Sequence, residues 1–258
     1  MSDRSLPPLS VDETVRILDR LSGLSGSEPV VLIGGTALAI WHAELSTGPP
    51  EPQLATTDVD LQGGPDAVRQ AARLLDGEHR ISRFDDHTTQ AGAVSFLDSA
   101  GEKRVLDFLS HPYGLDSEGV LERAIPLDIQ AGDSEVVRIA VMNPIDCLRS
   151  RIANSDLPGR EPEHAEAQLR AAIRLVPAYG RLLLDQGADT RAVMDLNERV
   201  YDLALDDRRA KKLYLKQDID VAKAELDDPR LPEPHRVIRL PQLRQKLQSA
   251  RERPGIGR

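Results

Sequence analysis

The sequence predicts a mixed α/β domain, built on a β-sheet with flanking helices, followed by a module made only of helices. Three observations support this division. A buried-strand run over residues 30–33 leads through a glycine pair into an apolar helix. Strand and helix patterns then mix as far as residue 141, and only helical patterns follow Pro158. We therefore expect an α/β domain over residues 1–157, a helical domain over 158–252 and a disordered tail over 253–258.

The elements of the first domain follow from periodicity and from breaker residues. Ser10 is a suitable N-cap for the first helix, and Pro65 lies near the first turn of the third. Residues 47–57 contain three prolines and a glycine, which predicts a loop. The predicted helices cover residues 11–21, 36–43, 66–75, 117–124 and 145–154. The predicted strands cover residues 30–33, 58–62, 79–84, 93–97, 103–109, 125–129 and 136–141.

Helical spacing continues through the second domain. The C-terminal part of this domain is basic, whereas the chain as a whole is acidic. The predicted helices cover residues 163–175, 177–186, 190–205, 207–226 and 236–249. From residue 207 onward fourteen Lys and Arg stand against eight Asp and Glu, whereas the whole chain carries −9. The overall acidity argues against a general nucleic-acid coat. The basic end favours either local contact with RNA or an acidic partner, or a solvated helical surface.

Composition indicates a cytoplasmic protein without membrane association. The chain has 258 residues and is 40% hydrophobic, which is enough for one large domain or two small ones. No run approaches the roughly 18 apolar residues of a membrane span, and the N-terminus lacks the apolar core of a signal peptide. Cys147 is the single cysteine, which excludes an internal disulfide framework and a cysteine-only zinc site.

Two short motifs carry the chemistry of the first domain. Gly34, Gly35 and Thr36 end a strand and open a helix, where backbone N–H groups can bind a phosphate. Asp58 and Asp60 lie two residues apart in a predicted strand, so their side chains point to the same face. Two adjacent carboxylates repel each other unless a cation lies between them, and oxygen ligands suit Mg²⁺. A phosphate site beside a carboxylate metal site indicates nucleotide chemistry.

Asp107 is a third acid, alone in the apolar strand pattern of residues 103–109. A buried lone carboxylate is costly unless it is paired or binds a metal. Beside Asp58 and Asp60 it would complete a three-carboxylate site for two Mg²⁺ ions. The alternative is that Asp107 faces solvent on an edge strand.

The order of these elements resembles that of the polymerase-β-like nucleotidyltransferase superfamily, over about residues 28–110. The Gly-Gly-Thr-Ala-Leu form at residues 34–38 is most similar to the abortive-infection (AbiEii) nucleotidyltransferase toxins. This resemblance implies an enzyme that uses an NTP and Mg²⁺. It transfers a nucleotidyl group to an RNA, tRNA included, or to a protein, as a toxin–antitoxin or phage-defence component.

The resemblance also implies roles for individual residues. Asp58 and Asp60 would hold the two metal ions, and Asp107 would be a further metal ligand and help to activate the acceptor hydroxyl. The triphosphate would bind at Gly34, Gly35 and Thr36. Arg149 and Arg151 lie on different faces of one predicted helix, where each either meets nucleotide phosphates or pairs with surface acids. Arg151 is the one that we include in the predicted nucleotide site.

Several alternatives remain open at this level. Asp85, Asp86 and His87 form either a metal site or an exposed turn. The chain is either an active enzyme or a catalytically silent nucleotidyltransferase-fold protein that binds a nucleotide or a partner. A third possibility is transfer to a small molecule, as in antibiotic-modifying nucleotidyltransferases. The acceptor, the preferred base and the oligomeric state are not determined by the sequence.

Overall fold

The computed structural model describes residues 8–24, 29–45, 56–86, 88–131, 135–157 and 161–252. His87, the predicted tail over 253–258 and most of the predicted loop over 47–57 lie outside these ranges. The chain divides into two compact units, Met1–Ser150 and Arg151–Arg258. The sequence prediction put this boundary seven residues later. Within the described ranges, no helix combines the length and apolarity needed to cross a membrane.

Among the described residues of the first unit, the strands form one mixed seven-stranded sheet, as the sequence predicts. Its strands are β1 (Val31–Leu32), β2 (Val59–Gln62), β3 (Glu78–Ile81), β4 (Gln90–Leu97), β5 (Lys103–Leu109), β6 (Ile125–Ala131) and β7 (Glu135–Val141). Their order across the sheet is β3-β4-β5-β2-β1-β7-β6. The β1–β7 and β2–β5 pairs are parallel and the others are antiparallel. The helices are α1 (Val11–Arg20), α2 (Gly34–Glu44), α3 (Pro65–Leu74), α4 (Ser117–Arg123) and α5 (Pro144–Asn154), whose last residues belong to the second unit.

Alternation along β4 and β5 gives this half of the sheet one covered face. Val94, Phe96, Leu106 and Phe108 are buried on it, and helix α3 packs against β4. Asp107 lies on the opposite face, which is only partly buried. The site residues of the sheet therefore lie on its less covered side.

Asp58 lies just before β2 and not within it, which corrects the predicted strand over 58–62. Its carbonyl oxygen accepts hydrogen bonds from the hydroxyls of Thr36 at 3.1 Å and Thr56 at 2.9 Å. These side-chain bonds hold the backbone at Asp58, and strand pairing begins at Val59. Strand alternation therefore does not set the direction of the Asp58 side chain.

The second unit contains only helical elements among its described residues. They are α6 (Pro162–Asp185), α7 (Thr190–Asp206), α8 (Arg208–Gln217), a 3₁₀ turn (Val221–Ala224), a π-helical turn (His235–Arg239) and α9 (Leu240–Glu252). The predicted break between residues 175 and 177 is wrong, because α6 continues through Pro177 with Val176 and Gly180 buried on either side. The predicted helix over 207–226 ends at Gln217, because Asp218 has a positive φ of 54°.

Candidate functional site

Gly34 and Asp60 are in direct contact at the start of helix α2. A β-carbon on Gly34 would lie 2.1 Å from Oδ2 of Asp60, and Gly34 has a φ of +72°. Both observations require glycine at this position. The backbone of Ile33 donates to the carbonyl of Asp60 at 3.0 Å, which fixes the loop before α2 to β2. The predicted glycine turn and the predicted acid pair therefore meet.

Asp60 and Asp107 face each other across the parallel pair of β2 and β5. Residues in register on neighbouring strands lie on the same face of the sheet. Strand β5 lies between β4 and β2, so Asp107 is on an inner strand and the edge-strand alternative is wrong. The register of the sheet therefore places Asp107, the third predicted acid, next to Asp60.

Asp107 is partly buried and its ionisation is perturbed. Burial raises the pKa of the Asp107 carboxyl, and the negative charge of Asp58 raises it further. Two groups act in the opposite direction on this pKa. Gln90 donates from Nε2 to Oδ1 of Asp107 at 2.6 Å, and the positive charge of Arg80 also favours the carboxylate.

Asp58 is fixed by three threonines of the same region. Besides the bonds to its carbonyl from Thr36 and Thr56, the Thr57 hydroxyl donates to Oδ2 of Asp58 at 3.2 Å. Thr36 is buried, with 1% of its surface exposed. Its hydroxyl therefore connects α2 to the backbone before β2, and Gly34 and Gly35 at the same helix start are buried as well.

The three acids do not form a closed metal site of protein ligands. Among the described residues, no group of three or more His, Cys, Asp or Glu side chains could by itself hold a metal ion. What the chain offers is two carboxylates in register on one sheet face, those of Asp60 and Asp107, with Asp60 beside the start of helix α2. That arrangement suits a cation whose remaining ligands come from a bound phosphate and from water.

Arg151 belongs to the second unit, whereas the other predicted site residues belong to the first. Its side chain is buried and donates a hydrogen bond to Oε1 of Gln168. Its role in nucleotide binding stays a prediction. Arg149 is partly exposed and forms an ion pair with Asp146. Asp85 and Asp86 lie exposed in a short 3₁₀ turn, and the backbone of Arg83 donates to Asp86.

Gln90 and Arg80 are contacts of the site that sequence reasoning missed. A single glutamine at the end of one strand and an exposed arginine on another strand do not form a recognisable sequence motif. Their connection to Asp107 depends on strand register and on an irregularity in β4, which local sequence patterns do not determine.

Comparison with known proteins adds little about function. No protein-family profile matches the chain, and no curated protein matches it significantly. Among solved structures it is similar to an antigenic nucleotidyltransferase-like protein from Paracoccidioides brasiliensis, at 17% identity and a TM-score of 0.41. The match covers 70% of this chain and 91% of that one. At this identity and TM-score, the function of the chain has to be inferred from its own residues.

Proposed function

We propose that this chain is a nucleotidyltransferase that moves an NMP from an NTP to an acceptor hydroxyl, with Asp58, Asp60 and Asp107 at its centre. The main support is the position of Asp60, whose carboxylate lies against Gly34 while the strand register sets it opposite Asp107. The helix start that we propose for phosphate binding and the Asp60 carboxylate therefore lie together in the fold.

The start of helix α2 is the proposed triphosphate site. The first N–H groups of a helix have no carbonyl partner within it, and the helix dipole favours negative charge there. Gly34 and Gly35 add no side chain that would keep a phosphate from the backbone. Asp60 lies beside this helix start, so its carboxylate would help to hold a cation that neutralises the charge of the phosphates.

Mg²⁺ is the cation that we propose for these carboxylates. It binds in enzymes through one or two carboxylates together with substrate phosphates and water, and not in closed cages of protein ligands. The effect of Asp58 on the pKa of Asp107 is a repulsion between like charges, which a cation would relieve. When bound, Mg²⁺ would supply charge neutralisation at the reacting phosphate and at the leaving pyrophosphate.

Asp107 is the proposed group that accepts the proton of the acceptor hydroxyl. Its carboxylate is partly buried on the sheet face that it shares with Asp60, and the bond from Gln90 holds one of its oxygens in place for this task. Asp58 and Asp60 then remain as ligands for cations. This division of roles follows the burial of Asp107 and the position of Asp60 at the helix start.

RNA, tRNA included, is the acceptor that we propose, and a protein is the second candidate. The exposed or partly exposed basic cluster of Arg208, Arg209, Lys211 and Lys212 on α8 supports an acidic polymer over a small-molecule acceptor. Such an activity would suit a toxin–antitoxin or phage-defence component, in line with the resemblance to AbiEii-like enzymes.

Two measurements test the proposed function. Calorimetric titration with each NTP, with and without Mg²⁺, should show binding that depends on the metal in the wild type and is lost in Asp60→Asn. Incubation with each labelled NTP and total bacterial RNA should then label an RNA or a protein. NTP binding that is independent of Mg²⁺, without transfer of label, would instead establish a silent nucleotide-binding protein.

A further inference from the structure

We propose that Gln90 is a positioning residue for Asp107 and that Arg80 holds Gln90 in place. This inference rests on the nucleotidyl transfer proposed above and adds two residues to its site. Neither residue belongs to the acid pair, the glycine turn or the third-acid strand. Arg80 lies on β3 and Gln90 on β4, and both strands are on the side of Asp107 away from Asp60.

The side-chain amide of Gln90 bonds on both of its sides. Its Nε2 donates to Oδ1 of Asp107 at 2.6 Å, and its Oε1 accepts from Nη2 of Arg80 at 3.4 Å. Only this orientation of the amide places its N–H₂ against the carboxylate and its oxygen against the guanidinium. The two partners therefore fix the amide in one orientation.

An irregularity in β4 places Gln90 on the face of Asp107. Gly92 pairs with Phe108, so in a regular ladder Ala91 would pair with Leu109 and Gln90 would lie on the other face. Instead Gln90 pairs with Leu109, and the register shifts by one residue between Gln90 and Gly92. Because Leu109 is two residues from Asp107 in β5, Gln90 shares their face. A bulge that redirects a side chain in this way is common beside functional sites.

The neighbouring strand brings Arg80 to the same face. Arg80 pairs with Ala93, and Ala93 pairs with Asp107, so the three lie in one row across β3, β4 and β5. The small side chain of Ala93 leaves room in this row. A β-carbon at Gly92 would lie 2.5 Å from the carbonyl oxygen of Arg80, so the strands approach closely where β4 is irregular.

A neutral amide suits the task of orienting Asp107. A hydrogen bond to a carboxylate is stronger than one between neutral groups, and here it engages one of the two oxygens. It restricts rotation of the carboxylate without cancelling its charge. The charge then remains for a cation and for the proton of the acceptor. Arg80 acts indirectly, by holding the Gln90 amide in place.

Single-turnover transfer and NTP titration with Gln90→Ala, Gln90→Glu and Arg80→Ala test the proposal. We expect Gln90→Ala to lower the transfer rate roughly 10-fold to 100-fold, the usual range for removal of a bond to a charged group, with little change in NTP affinity. Gln90→Glu should lower the rate at least as much, because it puts a second carboxylate against Asp107. Arg80→Ala should have a smaller effect. The matched control is Gln70→Ala, which removes an amide bond from α3 to the Gly23 carbonyl and should leave the rate unchanged.

A second readout does not depend on activity. The side-chain amide signals of Gln90 in ¹⁵N NMR spectra of the 258-residue chain should shift in Asp107→Asn, and those of Gln70 should not. Unshifted Gln90 signals would overturn the proposal, as would an active wild type with an equally active Gln90→Ala variant. Equal rate losses in Gln90→Ala and Gln70→Ala would show a merely structural role. A wild type that neither binds nor transfers nucleotide would overturn the proposed function itself, and this inference with it.

Discussion

Gly34 and Asp60 approach so closely that no side chain fits between them. A β-carbon on Gly34 would lie 2.1 Å from Oδ2 of Asp60 and 2.9 Å from its Cβ. The backbone of Gly34 is also in the left-handed region, with a φ of +72°. This contact joins the start of helix α2 to the carboxylate of β2, and the proposed function depends on it.

Gly34→Ala should therefore disrupt the site as well as destabilise the fold. Left-handed φ costs a residue with a side chain roughly 1–2 kcal/mol, and the clash also displaces the Asp60 carboxylate. A displacement of about 1 Å at a reacting centre can cost roughly 100-fold in rate. Gly101→Ala is the control, since Gly101 has a φ of +79° and, apart from its own chain neighbours, no part of the described chain lies within 4 Å of the added carbon. Equal losses of melting temperature and of Mg²⁺-dependent NTP binding in both variants would contradict this prediction.

Asp107→Asn should leave the melting temperature unchanged or raise it, while it abolishes transfer. Burial and the charge of Asp58 both disfavour the ionised Asp107, so a neutral isostere relieves an unfavourable charge. Thermal unfolding of the protein without nucleotide or metal measures the effect. A clear drop in melting temperature would show that Asp107 stabilises the fold through an ion pair.

Asp98→Asn is the matched variant, and we expect it to lower the melting temperature. Asp98 is buried and accepts bonds from Nε of Arg104 at 2.8 Å and from the backbone of Ala100 and Glu102. Burial raises the pKa of Asp98, but these bonds outweigh that effect and lower it overall. Breaking this buried pair should cost about 3 kcal/mol, or roughly 6–12 °C in melting temperature. An unchanged melting temperature would mean that the pair contributes nothing net.

In the second unit, the pairing of Asp228 with Arg230 should make stability depend on pH. Arg230 donates to both carboxylate oxygens at 2.9 Å, which lowers the pKa of Asp228 from 3.8 to about 2. A depressed native pKa gives stability that is fully present above about pH 4 and is lost as the pH falls toward about 2. Urea unfolding should show Arg230→Met to be less stable than wild type at pH 6, with the difference shrinking below pH 4. Arg191→Met, at an exposed position on α7, should show no such difference. A difference that stays constant with pH would contradict the prediction.

The basic cluster of α8 should give RNA binding its salt dependence. Replacement of Arg208, Arg209, Lys211 and Lys212 by Ala should lower the slope of log K against log salt by roughly 0.7–0.9 for each phosphate that is no longer neutralised. Lys212 also pairs with Asp156 at 2.7 Å, so its share of the slope should be the smaller. Arg239→Ala is the control, because Arg239 is held by both carboxylate oxygens of Glu198. An unchanged slope in the fourfold variant would show that the cluster is only a solvated helix face.

Local sequence patterns predicted which helices and strands form better than they predicted where these elements begin and end. Strand β5 has the predicted bounds, 103–109, because its alternation and flanking turns are all local. Asp58 falls outside β2, and its carbonyl oxygen accepts bonds both from the nearby Thr56 and from Thr36, which is 22 residues away in the sequence. Helix α6 continues through Pro177, because packing on both sides of that residue outweighs the hydrogen bond that proline removes.

The sequence by itself determined the mixed α/β unit, the helices that follow it and the order of glycine turn, acid pair and third acid. Each of these depends on periodicity, capping and turn residues, which act over a few positions. Only the tertiary structure decided that Asp60 lies against Gly34 and opposite Asp107, and that Gln90 reaches Asp107 through an irregular strand. Strand register and bulges follow from pairing between segments far apart in the chain. A shift of one residue moves a side chain to the other face of the sheet, and nothing in the local pattern of either segment records it.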